Sequence, residues 1–222
     1  MSSPARTPLA LALAASLALI VAMGVATSAC TPLALLQDAR IMPKGEGAPG
    51  FGVAVSMPTR KGTYAKPDGD TQDDQTDLYL KPLAHVLGWY RRGVGGQVEF
   101  QGLFSLPTFT LGAAMKVGLI GPDEGSPFAL SLSAEMGGSP VLGQALLAGG
   151  MNISVQVAEK VSLDTAGHFG VVPGLWRRPG LTATAGVSIK TDRRIWHVAG
   201  GYTFDIGFDS NPAAYLAVGF TE

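Results

Sequence analysis

From Phe51 onward the chain repeats one pattern, an apolar residue at every second position, and that period of two confines it to extended strands whose faces differ in chemistry. Phe51, Val53, Val55 and Met57 alternate with Gly52, Ala54 and Ser56. Val98, Phe100, Gly102 and Phe104 alternate with Gln97, Glu99, Gln101 and Leu103; then Phe109, Leu111, Ala113, Met115, Val117 and Leu119 alternate with Thr108, Thr110, Gly112, Ala114 and Lys116. The pattern returns over 128–136, 151–157, 163–171, 181–189, 196–208 and 214–220, and less regularly over 78–90, which contains Pro82. No segment keeps a period of 3.6; residues 141–147, with a Gly-Gly pair on either side, read as a loop with one helical turn. The expected fold is all-β, a closed antiparallel up-and-down barrel of about ten strands, within a range of about 8–10.

Alternation alone fits a soluble barrel with apolar faces inward and a membrane barrel with apolar faces toward lipid. Three features favour the second. The runs extend over about 9 to 13 residues, as a tilted strand needs to cross a bilayer, whereas soluble strands average about 5 or 6. The polar faces carry mainly Ser, Thr, Gln, Asn, Gly and Ala, with scattered charge at Glu99, Lys116, Glu135, Asp164 and Lys190, which suits a narrow lumen. In keeping with those sparsely charged faces, charged residues are only 15% of the chain, too few for an ordinary water-facing surface. Finally, the links near 91–96, 120–126, 158–160 and 191–194 are short, while those near 60–77, 137–150 and 173–180 are longer. The very short link at Leu106-Pro107-Thr108, and the short one at 209–212, break that alternation. Trp89, Tyr90, Trp176, Trp196, Tyr202 and Tyr215 lie near strand ends, where they could form aromatic girdles, although aromatic residues also simply prefer strands.

The N-terminus supplies an address. Met1 to Pro8 carries Arg6 and no acid, and 9–26 is an unbroken apolar stretch, so an n-region precedes an h-region. Thr27-Ser28-Ala29-Cys30 follows, and Cys30 is the only cysteine. This run resembles the lipobox of bacterial lipoproteins, with Thr27 where Leu is usual. The resemblance implies a signal peptide over 1–29, cleavage before Cys30 and acylation of its thiol. Residues 30–50, with Pro32, Pro43 and Pro49, read as a lipidated tether, and 51–222 as the barrel domain. In pattern, the mature chain resembles small lipid-anchored outer-membrane β-barrel proteins of Gram-negative bacteria. Thr31, rather than Asp, after the cysteine implies sorting to the outer membrane. Membrane lipid is then the expected partner.

Little else in the sequence points to chemistry. A formal net charge of -1 provides no basic field for nucleic acid. The histidines are His85, His168 and His197. His168 shares a strand face with Asp164, but four positions along a strand separate them by about 13 Å; His197 and Asp205 are farther apart, and no nucleophile motif accompanies them. No catalytic residue and no cofactor site are therefore expected. Asp68, Asp70, Asp73 and Asp74 form the densest charge, a weak Ca²⁺ candidate that lacks the EF-hand ligand order and reads first as a solvated outer loop. Arg91-Arg92, Arg177-Arg178 and Arg193-Arg194 could meet lipid phosphates or be ordinary turn residues. The polar lumen candidates are Glu99, Lys116, Glu135, Asp164, His168 and Lys190. Three functional readings stay open here: a lipid-anchored outer-membrane barrel with a structural, binding or narrow-channel role, favoured by the pattern; a soluble periplasmic lipocalin-like lipoprotein with an apolar ligand inside; and an outer-membrane lipid-modifying enzyme.

Overall fold

The structure, a computed structural model, describes residues 36, 38–58, 83–106, 109–121, 123, 126–139, 144–171, 179–205 and 213–222. Among these lie ten strands: β1 (Gly47–Pro58), β2 (Leu83–Gly95), β3 (Val98–Leu106), β4 (Thr110–Ile120), β5 (Phe128–Ser139), β6 (Gln144–Ala158), β7 (Val161–Val171), β8 (Pro179–Lys190), β9 (Ile195–Asp205) and β10 (Ala213–Thr221). Each pairs antiparallel with its sequence neighbours, and β1 pairs with β10 from Gly50↔Thr221 to Pro58↔Ala213, so the barrel is closed. Closure leaves no strand edge with unpaired backbone groups.

The barrel has two unlike ends. The turn end carries the start of β1, the hairpins after β2, β4, β6 and β8, and Glu222. The loop end carries the links after the odd-numbered strands. The β2–β3 hairpin closes on Gly96 and Gln97, both at φ 62°, the positive values that a two-residue type I′ turn requires. Gly96 takes this conformation freely, whereas Gln97 carries the modest cost of a side chain there.

Period-two alternation translates directly into inside and outside. Phe100, Leu111 and Leu132 lie on the outer surface with 49%, 61% and 45% of their area accessible, as do Phe51, Met136, Leu163, Phe169, Trp196 and Leu216. The inward residues include Glu99, Gln101, Lys116, Ser131, Ser133, Asn152, Ser154, Ser188 and His197, all buried. Apolar faces look outward and polar faces inward, the reverse of a lipocalin-like interior.

Several sequence expectations are revised. The strand read from Phe51 begins at Gly47, and β2 covers Leu83–Gly95 rather than 78–90. The long link expected over 137–150 is mostly strand: Gly137 pairs with Leu146 and Gly138 with Ala145, leaving only 140–143 between β5 and β6. Its glycines weaken the side-chain period while the backbone ladder continues through them. Trp89 and Tyr215, which at strand ends could have formed part of aromatic girdles or simply followed the strand preference of aromatic residues, are buried inside. Trp89 fits because Gly50 in the adjacent strand has no side chain: a Cβ there would collide with the indole. Trp176 and Arg177-Arg178 lie outside the described residues.

Candidate functional site

The lumen is occupied by the chain itself. Leu36 and residues 38–42, expected to belong to a tether, lie inside the barrel with the chain entering from the turn end at residues 43–44, and Leu36, Asp38, Ala39, Arg40 and Ile41 are buried. Lys44 bridges to Gly93, and Gly45 N–H donates to Gly93 O at 2.9 Å, which fixes the entry against β2. Leu36 reaches the level of Gly52 and Gly219, where any Cβ would strike its Cδ1. Two glycines thus thin the wall to admit one leucine.

A four-charge network holds this segment. The Arg91 guanidinium donates through Nε to Glu99 Oε1 at 2.8 Å, and through Nη2 to Glu99 Oε2 at 3.0 Å, Asp38 Oδ1 at 3.1 Å and the Arg40 carbonyl at 2.9 Å. Lys116 Nζ donates to the Asp38 carbonyl at 3.0 Å and lies 3.4 Å from Glu99 Oε1. Glu99 also accepts from Gln101 Nε2 at 2.6 Å and from the Met42 N–H at 2.9 Å. Two carboxylates face two cations, so the cluster is balanced and its groups are richly hydrogen-bonded, the condition under which buried charge persists. Burial works against ionisation of Asp38, and Arg91 and Lys116 outweigh it, holding the carboxyl below its ordinary range. Arg40 completes the attachment through Nη1 to Ser162 Oγ at 3.1 Å and Nη2 to the Ser126 carbonyl at 3.0 Å.

Next to this cluster runs a chain of hydroxyls and imidazole. Ser154 and Ser188 both donate to the Asp164 carboxylate, and Ala39 N–H donates to Ser154 Oγ at 2.7 Å. Because the Ser188 proton points to Asp164, its oxygen accepts from His197 Nδ1–H at 2.8 Å. His197 Nε2 is then the acceptor toward Thr221 Oγ1 at 3.3 Å, and Trp89 Nε1–H donates to that hydroxyl oxygen at 3.2 Å. A serine nucleophile needs its base to take the hydroxyl proton. With Ser188 donating to Asp164, the Ser188–His197 contact has the opposite polarity.

The loop-end half is different. Ser56 Oγ meets His85 Nε2 at 3.2 Å and Thr182 Oγ1 meets Thr203 Oγ1 at 3.1 Å. Glu135 Oε1 lies 3.2 Å from His168 Nδ1, yet neither Glu135 oxygen nor either His168 nitrogen makes a hydrogen bond among the described residues. The Tyr215 hydroxyl and His85 Nδ1 are likewise buried without a partner.

Of the sequence candidates, Glu99 and Lys116 meet in the four-charge network, Asp164 joins the hydroxyl chain, and Glu135 meets His168; Lys190 is exposed at the turn end. Arg91, read as a strand-end cation that could meet lipid phosphate, points inward because β2 continues past it to Gly95. Arg194 does sit at a rim, 2.9 Å from Glu222 and over the Phe220 ring at 4.4 Å. Cys30 and the aspartates at 68, 70, 73 and 74 lie outside the described residues. Among the described residues no three His, Cys, Asp or Glu side chains gather as a metal cluster. Sequence reading missed Asp38 and Arg40; their signal was two opposite charges among Leu36, Ala39 and Ile41.

No protein-family model and no curated protein matches the chain. Among solved structures it is similar to an outer membrane channel from Pseudomonas putida (12% identity, TM-score 0.42, covering 83% of this chain and 97% of that one). It is also similar to the attachment invasion locus protein Ail of Yersinia pestis (15%, 0.32, 81% and 98%) and to the outer membrane protein OprG of Pseudomonas aeruginosa (9%, 0.31, 83% and 96%). Likenesses this distant leave the function of the chain to be read from its own residues.

Proposed function

We propose that the chain is a lipid-anchored outer-membrane β-barrel of a Gram-negative bacterium that acts as a narrow channel closed by its own N-terminal segment. The observation that carries this reading is the insertion of Leu36 and residues 38–42 into a polar lumen and the attachment of Asp38 and Met42 to Arg91, Glu99 and Lys116. A purely structural barrel could fill its interior from the strands alone; here charged strand residues are committed to a segment that entered from one end.

Membrane insertion is supported by the apolar exterior. Strands of 9 to 15 residues carry Phe, Leu, Val and Met outward all around a closed wall, and water would meet that surface at great cost. A soluble lipocalin-like carrier would need those side chains inside. The hydrogen-bond polarity at Ser188 and His197 favours a non-enzymatic role. The lipobox-like run supports the anchor. Cys30 and Leu36 are six positions apart, and an extended chain covers about 3.5 Å per residue, so a diacylglycerol on Cys30 would stay within about 20 Å of Leu36.

Single-channel recording in planar bilayers tests the reading. The folded mature protein is expected to be silent, and a variant lacking residues 36–44 to pass small, discrete currents. A plug-less protein that folds, shown by heat-modifiable gel mobility, and still passes no current would reduce the barrel to a scaffold.

A further inference from the structure

We propose that Glu135 and His168 form a binding site for a divalent cation of the zinc class, in the loop-end half of the lumen above the plug. It requires only the barrel as built, and neither the membrane reading nor the gating role of residues 36–44.

The starting point is an imbalance. Glu135 is 97% buried and His168 98% buried, and neither has a hydrogen-bond partner among the described residues. Leaving a buried carboxylate and a buried imidazole without hydrogen bonds is costly, and native structures match such groups with protein, water or an ion. No Lys or Arg among the described residues pairs with Glu135, in contrast to Glu99, which has two cations within 3.4 Å.

The separation of the two groups points to the occupant. Glu135 Oε1 and His168 Nδ1 are 3.2 Å apart but misaligned for a hydrogen bond. Two ligands, each about 2.0–2.1 Å from one tetrahedral ion, stand about 3.3–3.4 Å from each other. The pair is thus spaced as neighbouring metal ligands. Carboxylate plus imidazole suits zinc and its neighbours better than calcium, which takes only oxygens. Two protein ligands leave other coordination positions to water. The ring of His168 is set beside Gly150, where a Cβ would collide with Nδ1, so the glycine clears the nitrogen that faces Glu135.

The test uses the full mature chain refolded in detergent micelles, with folding checked by heat-modifiable mobility. Equilibrium dialysis against Zn²⁺ in the presence of excess Ca²⁺ is expected to give one tightly held Zn²⁺ per chain. Glu135→Gln and His168→Gln should each weaken binding by at least roughly tenfold, and His85→Gln should leave it unchanged. X-ray absorption at the zinc edge on the wild-type protein, which needs no variant to fold, should show one imidazole nitrogen. Folded protein that binds no Zn²⁺ overturns the proposal. So does binding that survives both substitutions, which would assign the metal elsewhere, for instance to the aspartates at 68–77, or a zinc shell of oxygen alone.

Discussion

The two halves of the lumen solve the same problem in different ways. At the turn end, Asp38, Arg91, Glu99 and Lys116 balance one another, and the Asp164–Ser188–His197–Thr221 chain directs each of its protons to an acceptor. At the loop end, Glu135, His168 and Tyr215 are just as deeply enclosed but make no such hydrogen bonds among the described residues, a condition that at the turn end is confined to single atoms such as Arg40 Nε and Ser131 Oγ. The difference teaches that burial alone does not distinguish a packed region from a receptive one. A satisfied network makes the barrel a solid, whereas unmatched groups of similar burial mark where something other than protein belongs.

Substitutions in the two halves should therefore differ in size. The largest effect is expected for Lys116→Met, which leaves Asp38 and Glu99 with one cation between them; removing one partner of a buried ionic network costs about 3–5 kcal/mol, read as urea-induced unfolding in lipid vesicles. A loss under about 1 kcal/mol would mean that water reaches the network and the halves are alike. Asp38→Asn keeps the shape of the plug and removes its charge, at about 1.5–3 kcal/mol for hydrogen bonds to a charged group. Its signature is faster proteolysis within residues 36–46, with the strands still protected. Thr182→Val, in the loop-end half, should cost about 0.5–1.5 kcal/mol by loss of the bond to Thr203, and the same unfolding assay measures it. Smallest is Arg194→Ala at the exposed rim, expected at about 0–1 kcal/mol and to diminish further with added salt.

The walls of the barrel were legible in the sequence and its filling was not. Period two places every second side chain on one face, so Phe100, Leu111 and Leu132 could be sorted from Glu99, Thr110 and Ser131 before any partner was known. Strand ends were harder. Arg91 follows Leu87 and Trp89 on the inward face of β2, and two apolar residues there disguise the continuation of the strand. Residues 36–44 show no period at all, because Ala39 and Met42 are held through backbone groups and Asp38 and Arg40 through contacts reaching 53 to 122 positions along the chain. Such pairings depend on barrel closure, which a linear pattern does not encode. The Glu135–His168 pair is of the same kind: both residues could be placed on the polar face, but their meeting across β6 follows from register.

The direction of the two faces is the premise on which the rest stands, and brominated-lipid quenching tests it most directly. A fluorophore attached through cysteine at Leu132, in protein lacking Cys30 and refolded into vesicles, should be strongly quenched by lipids brominated along their acyl chains, while the same fluorophore at Ser133 should not. Equal quenching at both sites, or stronger quenching at Ser133, would contradict a barrel that turns its apolar side chains toward hydrocarbon.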